Sequence, residues 1–414
     1  MTRREQGRIP LELLSPAQGP EQLAMALHFG ADSVYLAAPR WGMRAGARNF
    51  SLDELDDAIE SAHLAGASVH LTLNTVMTDE DMADLPAFLE RVDAMGLDAA
   101  IVADLGAMAL VRKYAPHVAI HVSTQASVMS AAAAEEYARL GARRIVLARE
   151  MSLAQVARLR RQLTRELELE LEAFAHGSLC MAYSGRCLLS TEMMGPDRSA
   201  ARGACAQPCR WSWELVEARQ PERPIPVETD DRGSYLLSSN DLCLIDYLQE
   251  LADAGIDCIK VEGRSKGSYY TACVTNAYRH VLDGESASAW RVELDAVSHR
   301  PYSTGFLFGE ATQNPGAVGY ARERRMVGVV SSCEPCDGGW MTELVCRNRA
   351  CDGDTLQILS PKSPVREMRL VGLELRDSDG AWRQMRDLVR NGDTYRLRTP
   401  WPLEAWDVLC VAAR

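Results

Sequence analysis

The sequence predicts an α/β fold in which a TIM-like (β/α) barrel is followed by a small antiparallel β-barrel domain. Apolar runs alternate with helical patterns through the first 300 residues, and a glycine precedes several of these runs. Strands that alternate with helices form parallel sheets with right-handed crossovers. After about residue 300 the pattern changes to short alternating segments separated by turn signals, which is typical of an antiparallel β domain.

Nine apolar runs are candidate strands of the first domain. Glycine often ends a helix in the left-handed conformation, and Gly30, Gly66 and Gly96 each stand two or three residues before such a run. Eight or nine strands favour a barrel, with an open doubly wound sheet as the alternative. The candidates are Leu11–Leu14, Ser33–Leu36, Val69–Leu73, Ala100–Val102, Ala119–Val122, Arg144–Leu147, Leu169–Phe174, Tyr235–Leu237 and Cys258–Val261.

The segments between these runs carry helix-start signals. Ser51 with Glu54 fits a capping box, and Ser152 with Gln155 fits another, each followed by apolar residues at helical spacing. We therefore place the barrel in residues 1–300, with residues 219–233 as a surface loop rich in Pro, Glu and Asp.

Residues 301–414 are predicted to form the second domain. Turn signals such as Asp337-Gly-Gly and Asn391-Gly-Asp separate its strands. The predicted strands are Arg325–Val330, Trp340–Val345, Thr355–Ile358, Met368–Glu374, Thr394–Leu397 and Val408–Val411.

Composition and charge exclude several classes of protein. The chain has 414 residues, a net charge of −12 and 6% aromatic residues, which argues against broad, non-specific binding of nucleic acid but not against a local basic site. No apolar run reaches the roughly 18 residues of a membrane span, and the N-terminus lacks the apolar segment of a signal peptide. We expect a cytoplasmic protein with no membrane partner.

The twelve cysteines are the strongest chemical signal. Cys180 and Cys187 form a C-x6-C pair, Cys205 and Cys209 form a C-x3-C pair, and Cys243 follows. In a reducing cytosol these are either buried thiols or metal ligands. Thiolates in a polar segment without helix or strand periodicity favour a metal site, and the wide spacing favours an iron–sulfur cluster over zinc.

A second cysteine motif lies in the C-terminal part of the chain. Cys333-Glu-Pro-Cys336 is a C-x2-C pair at a turn, and Cys346 and Cys351 lie nearby. A separate zinc knuckle is one interpretation of this pair. Whether these cysteines bind anything stays open at this point.

Polar residues at the predicted strand ends identify the active face of a barrel, because the chemistry of such folds sits at the C-terminal ends of the strands. Each alone is better explained as an N-cap or loop residue, and their common placement at one rim is what indicates a site. They include Arg40, Arg44, Asn74, Asp104, Gln125, Arg149, His176, Glu262, Arg264 and Lys266.

Several of these segments together resemble the collagenase-like peptidase family U32. The resemblance covers most of residues 11–280 and rests on six blocks of sequence. The blocks are Leu14–Ala17, the segment from Arg44 to Phe50, Glu172–Ser190 with its C-x6-C pair, Gly203–Arg210 with its C-x3-C pair, Leu237–Cys243, and Lys260–Arg264 with Lys266.

The resemblance implies an enzyme, although the family name and the residues point to different chemistries. No Ser/His/Asp, Cys/His or HExxH arrangement has a persuasive spacing for a peptidase. Several family members are oxygen-independent hydroxylases with a 4Fe–4S cluster that act on a tRNA uridine, on a 23S rRNA cytidine or in ubiquinone synthesis. The RNA enzymes are tied to prephenate as the source of the hydroxyl group.

A barrel followed by one small β domain is similar to the members that convert the wobble uridine of tRNA to 5-hydroxyuridine. The expected partners are therefore tRNA, the small-molecule donor prephenate and an electron donor of unknown identity. A peptidase and a cluster-dependent hydroxylase of a small molecule are the alternatives.

Matching the blocks residue by residue implies the site. Cys180, Cys187, Cys205 and Cys243 are the expected cluster ligands, with Cys209 as an alternate fifth. Glu262 or His176 would move protons, and Arg264 and Lys266 complete the catalytic group. The expected pocket for substrate or donor consists of Arg40, Arg44, Arg48, Asn74 and Gln125. In the β domain, RNA is expected to bind Arg322, Arg324 and Arg325.

Overall fold

The computed structural model describes residues 9–44, 48–180, 182–211, 214–215, 225–226, 240–309 and 322–413. Its first domain is a closed barrel of eight parallel strands, because the last strand pairs with both the first and the seventh. In barrel order the strands are β1 (Glu12–Pro16), β2 (Ser33–Leu36), β3 (Ser68–Leu73), β4 (Ala99–Val102), β5 (Ala119–Val122), β6 (Ala142–Val146), β7 (Glu170–Ser178) and β11 (Cys258–Val261). The predicted fold class is thereby confirmed.

Three shorter pairings surround the barrel. The ninth candidate strand, Tyr235–Leu237, lies outside the described residues, as does most of the predicted loop 219–233. Within that loop, β9 (Ile225–Pro226) pairs with β8 (Glu214–Leu215). β10 (Asp241–Cys243) runs antiparallel to the end of β7 and pairs with β12 (Tyr302–Ser303).

Helices cover the outside of the barrel. Both predicted capping boxes are present, at Ser51 with Glu54 and at Ser152 with Gln155, so two helices begin where the sequence places them. The helices are α1 (Pro20–His28), α2 (Leu52–Leu64), α3 (Asp79–Ala94), α4 (Leu105–Tyr114), α5 (Ala131–Arg139), α6 (Leu153–Gln162), α7 (Leu189–Met194), α8 (Leu248–Asp253), α9 (Ser268–Leu282) and α10 (Ala287–Asp295). The main apolar core lies between these helices and the strands.

The inside of the barrel is unusually polar. The Arg144 guanidinium binds Glu12 at 2.6 Å and Glu172 at 3.4 Å, and Lys260 Nζ lies 2.9 Å from Glu172 Oε1. Arg144, Glu172 and Lys260 are buried. Buried charges are tolerated when they are paired in this way, and the network leads from the bottom of the barrel towards its C-terminal end.

The second domain is an eight-stranded antiparallel sheet. The predicted strand Met368–Glu374 is divided in two, because Gly372 turns the chain at a φ of +67°. In chain order the strands are β13 (Arg324–Cys336), β14 (Gly339–Cys346), β15 (Thr355–Ser360), β16 (Ser363–Arg369), β17 (Leu373–Arg376), β18 (Trp382–Met385), β19 (Thr394–Thr399) and β20 (Val408–Ala412). Their order in the sheet is β16-β15-β20-β13-β14-β19-β17-β18.

Candidate functional site

A cavity of about 130 Å³ opens at the C-terminal end of the barrel strands. Its floor and walls come from strand ends, including Tyr35, Thr72, Phe174 and Lys260, and its outer side comes from a segment that follows β7. We call residues 180–211 the cysteine segment. The cavity therefore joins the barrel rim, where enzymes of this fold carry their active sites, to the part of the chain richest in thiols.

Four cysteines of the cysteine segment line this cavity: Cys180, Cys187, Cys205 and Cys209. Cys180 is exposed and the other three are half-buried. Short turns, the six-residue helix α7 and 3₁₀ turns hold the segment, which accounts for the missing periodicity in its sequence.

Two glycines seat the cysteine segment on the barrel. Gly203 has a φ of +77°, and a Cβ there would lie 2.8 Å from the carbonyl oxygen of Gly42 and 3.0 Å from the backbone nitrogen of Arg44. Gly185 has a φ of +72°, and a Cβ there would lie 2.6 Å from Gln125 Oε1. Both positions combine a left-handed backbone with close approach to the rim, so only glycine fits them without a shift.

The structure places the five expected cluster ligands in two environments. Cys209, the alternate fifth ligand, lines the cavity, whereas Cys243 does not. Cys243 lies in β10 opposite His176 of β7, is 3% exposed, and belongs to the apolar core. Burial raises the pKa of its thiol to about 11. We propose Cys209 rather than Cys243 as the fourth ligand, because its side chain lines the cavity.

The four lining thiols are a donor set that zinc and iron–sulfur clusters both use. Among the described residues, no three cysteine sulfurs lie within 4.8 Å of one another, so the segment presents no preassembled tetrahedral zinc site. All-thiolate ligation also fits the iron–sulfur cluster that the sequence predicts.

A group of buried cations faces these thiols. Glu262 lies at the centre, with its Oε1 3.2 Å from Arg44 Nη2 and its Oε2 3.6 Å from Arg149 Nη2. Burial alone would raise the pKa of the Glu262 carboxyl, but the two guanidiniums more than offset that effect, and the pKa is lowered. Glu262 is thus ionised at neutral pH, and it is the only acidic residue among those that line the described cavity.

Arg264 adds a third guanidinium. Its Nη1 donates to Thr72 Oγ1 at 2.9 Å and its Nη2 to Asn49 Oδ1 at 2.9 Å, while its Nε is buried without a hydrogen-bond partner in the structure. Burial lowers the pKa of Arg264 to about 10, so it still carries a charge at neutral pH. Arg149 Nε is likewise buried and unpaired. These two N–H groups are donors that a bound anion or water would satisfy.

Lys260 lies at the floor of the cavity. Its ammonium group binds Glu172 and lies 4.3 Å from the centre of the Tyr35 ring. Arg149 stacks on Phe174 with its guanidinium carbon 3.7 Å from the ring centre. Neither Lys260 nor Arg149 is in the predicted pocket; the sequence placed Arg149 only among the strand-end residues. Because both are fixed by packing, the positive charge of the cavity is preorganised.

The predicted pocket residues divide into two groups. Arg44, Asn74 and Gln125 line the cavity, and Asn74 Oδ1 accepts a hydrogen bond from the Met43 backbone at 3.0 Å. Arg40 and Arg48 do not line it, which corrects that part of the prediction. Arg40 binds Asp84 at 2.7 Å and Arg48 binds Glu54 at 2.6 Å, both on the exposed surface. Their carboxylate partners hold them outside.

The predicted catalytic residues also divide. Glu262 and Arg264 line the cavity, but His176 and Lys266 do not. Lys266 Nζ donates to the Ser298 carbonyl at 2.9 Å. His176 is 1% exposed, and its Nδ1 lies 3.3 Å from the hydroxyl of Tyr278. Burial, followed by repulsion from His299 and Lys266, lowers the pKa of His176 to about 3, so it is neutral and enclosed.

Two other groups resemble metal sites by residue type. His70, His121 and Glu172 place one ligand atom each within 4.8 Å inside the barrel, but Lys260 and Arg144 already bind the Glu172 carboxylate, so we assign this group to the buried ion network. The described Cys333 and Cys336 lie in β13, outside any such group. Cys333 Sγ accepts from the Leu403 backbone at 3.4 Å.

A helix that crosses a membrane must be both long and apolar. Among the described residues, none of the helices combines the length and the apolar character that a membrane crossing requires.

Comparison with known proteins gives consistent matches. The model of Peptidase family U32 matches residues 18–316. The chain is 32% identical to tRNA hydroxylation protein P1 of Bacillus subtilis over 362 residues, which cover 85% of this chain and 84% of that protein. It is 32% identical to a collagenase of Porphyromonas gingivalis over 315 residues, covering 72% and 74% of the two chains. It is 36% identical to a 23S rRNA 5-hydroxycytidine synthase of Escherichia coli over 273 residues, covering 66% of this chain and 39% of that protein.

Proposed function

The chain belongs to peptidase family U32, and on that premise we propose that it is an iron–sulfur-dependent RNA hydroxylase that converts the wobble uridine of tRNA to 5-hydroxyuridine. Two relatives named for RNA hydroxylation support a reaction on a base. The observation that carries the proposal is the shared cavity, in which four thiols face a group of buried cations.

Cys180, Cys187, Cys205 and Cys209 would hold a 4Fe–4S cluster. When bound, such a cluster supplies one-electron transfer. The chain's own contribution is to fix the thiols at the rim through Gly185 and Gly203, and to keep the Arg149 and Arg264 guanidiniums on the facing wall.

The charge of the cavity suits a small dianion. Arg44, Arg149 and Arg264 line it against the single carboxylate of Glu262, while Lys260 is paired with Glu172, so the lining carries more positive than negative charge. Guanidinium groups bind carboxylates through paired, charge-assisted hydrogen bonds. We propose that prephenate, a dicarboxylate, binds there as the hydroxyl source, and that a redox partner outside the chain takes up the two electrons released when uridine C5–H becomes C5–OH.

A peptidase reaction finds less support in the same geometry. A cysteine peptidase needs a thiol and a histidine within hydrogen-bond reach. No histidine is among the described residues that line the cavity, and His176, the nearest to Cys180 in sequence, is enclosed by three tyrosine rings.

Nucleoside analysis of tRNA tests the proposal. Total tRNA from a strain lacking this gene should lose 5-hydroxyuridine or its derivatives, and the wild-type gene should restore them. We expect the Arg149→Ala variant to fail to restore them, and Arg40→Ala, whose side chain lies outside the cavity, to restore them fully. The same set of modified nucleosides with and without the gene would refute the proposed function.

A further inference from the structure

The cysteine segment exposes an unusual amount of apolar surface. Fourteen large apolar side chains are exposed in the described part of the chain, and five of these belong to this one segment. They are Tyr183, Leu188, Met193, Met194 and Trp211, with exposures between 41% and 70%. Single exposed apolar residues need no explanation, but a concentration of them marks an interaction surface.

This surface borders the entrance of the cavity. Tyr183 stands between Ala182 and Ser184, which both line the cavity, and Trp211 follows the lining Cys209 by two residues. The Tyr183 carbonyl accepts from the Arg186 backbone at 3.0 Å, which fixes the turn that carries the ring. A partner on this surface would therefore lie directly over the cavity.

The charge of the cysteine segment indicates the chemistry of that partner. The whole chain has a net charge of −12, but this segment has a net charge of +2, because it contains four arginines and two acidic residues. Arg198 keeps an exposed side chain, and its Nε anchors it to the Ala204 carbonyl at 2.9 Å. Aromatic rings beside arginines are the combination that binds unpaired nucleotides, since the rings stack on bases and the guanidiniums bind phosphates.

We propose that the cysteine segment is the RNA-binding surface, with Tyr183 and Trp211 stacking on unpaired bases of an RNA loop. The inference rests on the proposed function, since a base must leave its stack to reach an enclosed reactive centre. It replaces the arginines at the start of β13 as the principal RNA contact. Arg324 there is only 17% exposed on its side chain and is bound by Glu293, with which it forms an interdomain ion pair.

Binding measurements on the cluster-loaded protein test this surface. The probes are a short RNA stem-loop with unpaired uridines in its loop and the same stem closed into a continuous duplex. Tyr183→Ala and Trp211→Ala should each raise the Kd for the stem-loop about tenfold, while Tyr183→Phe should retain wild-type affinity. Trp406→Ala is the matched control, because Trp406 is 38% exposed in the second domain.

The iron content of each variant shows whether the cysteine segment has kept its structure. If both alanine variants have normal iron and an unchanged Kd, the cysteine segment is not the RNA-binding surface. The proposed function survives that result if tRNA is still hydroxylated. A wild-type protein that binds duplex and stem-loop equally would overturn it as well. If the surface instead binds another protein, the two alanine substitutions should leave the Kd for the RNA stem-loop unchanged.

Discussion

At the scale of single residues, Glu262 is the carboxylate on which the charge balance of the cavity depends. We expect Glu262→Gln to lower the free energy of unfolding by about 2 kcal/mol, because it removes the counterion of Arg149, which is mostly enclosed, and of Arg44, whose exposed part is screened by solvent. Urea unfolding of the two proteins measures the difference.

The pH dependence of that difference has a defined sign. The pKa of Glu262 is lowered in the folded protein from its ordinary value of 4.5. Its stabilising effect is therefore fully present above about pH 4.5 and is lost as the pH falls through the folded-state pKa. The gap between wild type and Glu262→Gln should be constant from about pH 6 to 8 and should shrink in acid; a gap that grows in acid contradicts this assignment.

Residue type and position along a strand predicted part of this site. Glu262 and Arg264 follow β11 directly, so the rule that barrel chemistry lies at strand ends finds them. The same rule also named His176, which the structure places outside the lining of the cavity. β7 continues to Ser178, four residues beyond its predicted end, so His176 lies within the strand and is enclosed there. Sequence periodicity does not show where a strand ends, so it could not separate these cases.

At the scale of elements, the seating of the cysteine segment depends on Gly203. Gly203→Ala should displace the segment, because the added Cβ meets the backbone of Gly42 and Arg44. We expect the variant to lose most of its iron while the barrel keeps its helical circular dichroism. Gly195→Ala is the control, because Gly195 has a similar φ of +88° but no atom lies within 4 Å of its added Cβ. The control variant therefore has the backbone strain without the steric clash. Equal iron loss in both variants would show that close packing at Gly203 is unimportant.

The order of elements was predictable, but the pairing of distant thiols was not. Capping boxes and glycines that end helices are local signals, and the capping boxes correctly predicted where two helices begin. Cys209 and Cys243 both lie in blocks that resemble the family, so the sequence does not show which of them is a ligand. Only the antiparallel pairing of β10 with β7 shows that Cys243 turns into the core, and that pairing is a long-range contact.

At the scale of the whole molecule, the two domains share packing. His28 Nε2 of α1 lies 3.0 Å from Asp407 Oδ1, and Val329, Val408 and Cys410 of the second domain join the core of the barrel. The alternation of strands and helices predicted both domains, but their contact depends on surface shape that no periodicity encodes.

The overall charge also makes a prediction for RNA binding. A protein of net charge −12 with one small basic surface should contact few phosphates. The logarithm of the affinity for tRNA should therefore fall with the logarithm of salt concentration with a slope of about 2, since each phosphate contact adds about 0.7 to 0.9. Titrations at several salt concentrations measure it. A slope near 8 would indicate about ten phosphate contacts and would contradict a small basic surface.

The most direct test of the account is which cysteines hold the cluster. Iron and acid-labile sulfide should be measured per chain after anaerobic purification of wild type, Cys209→Ser and Cys243→Ser. We predict about four of each in wild type and in Cys243→Ser, and a loss of the cluster in Cys209→Ser, because Cys209 lines the cavity and Cys243 does not. Retention in Cys209→Ser with loss in Cys243→Ser, or zinc in place of iron, would contradict the account.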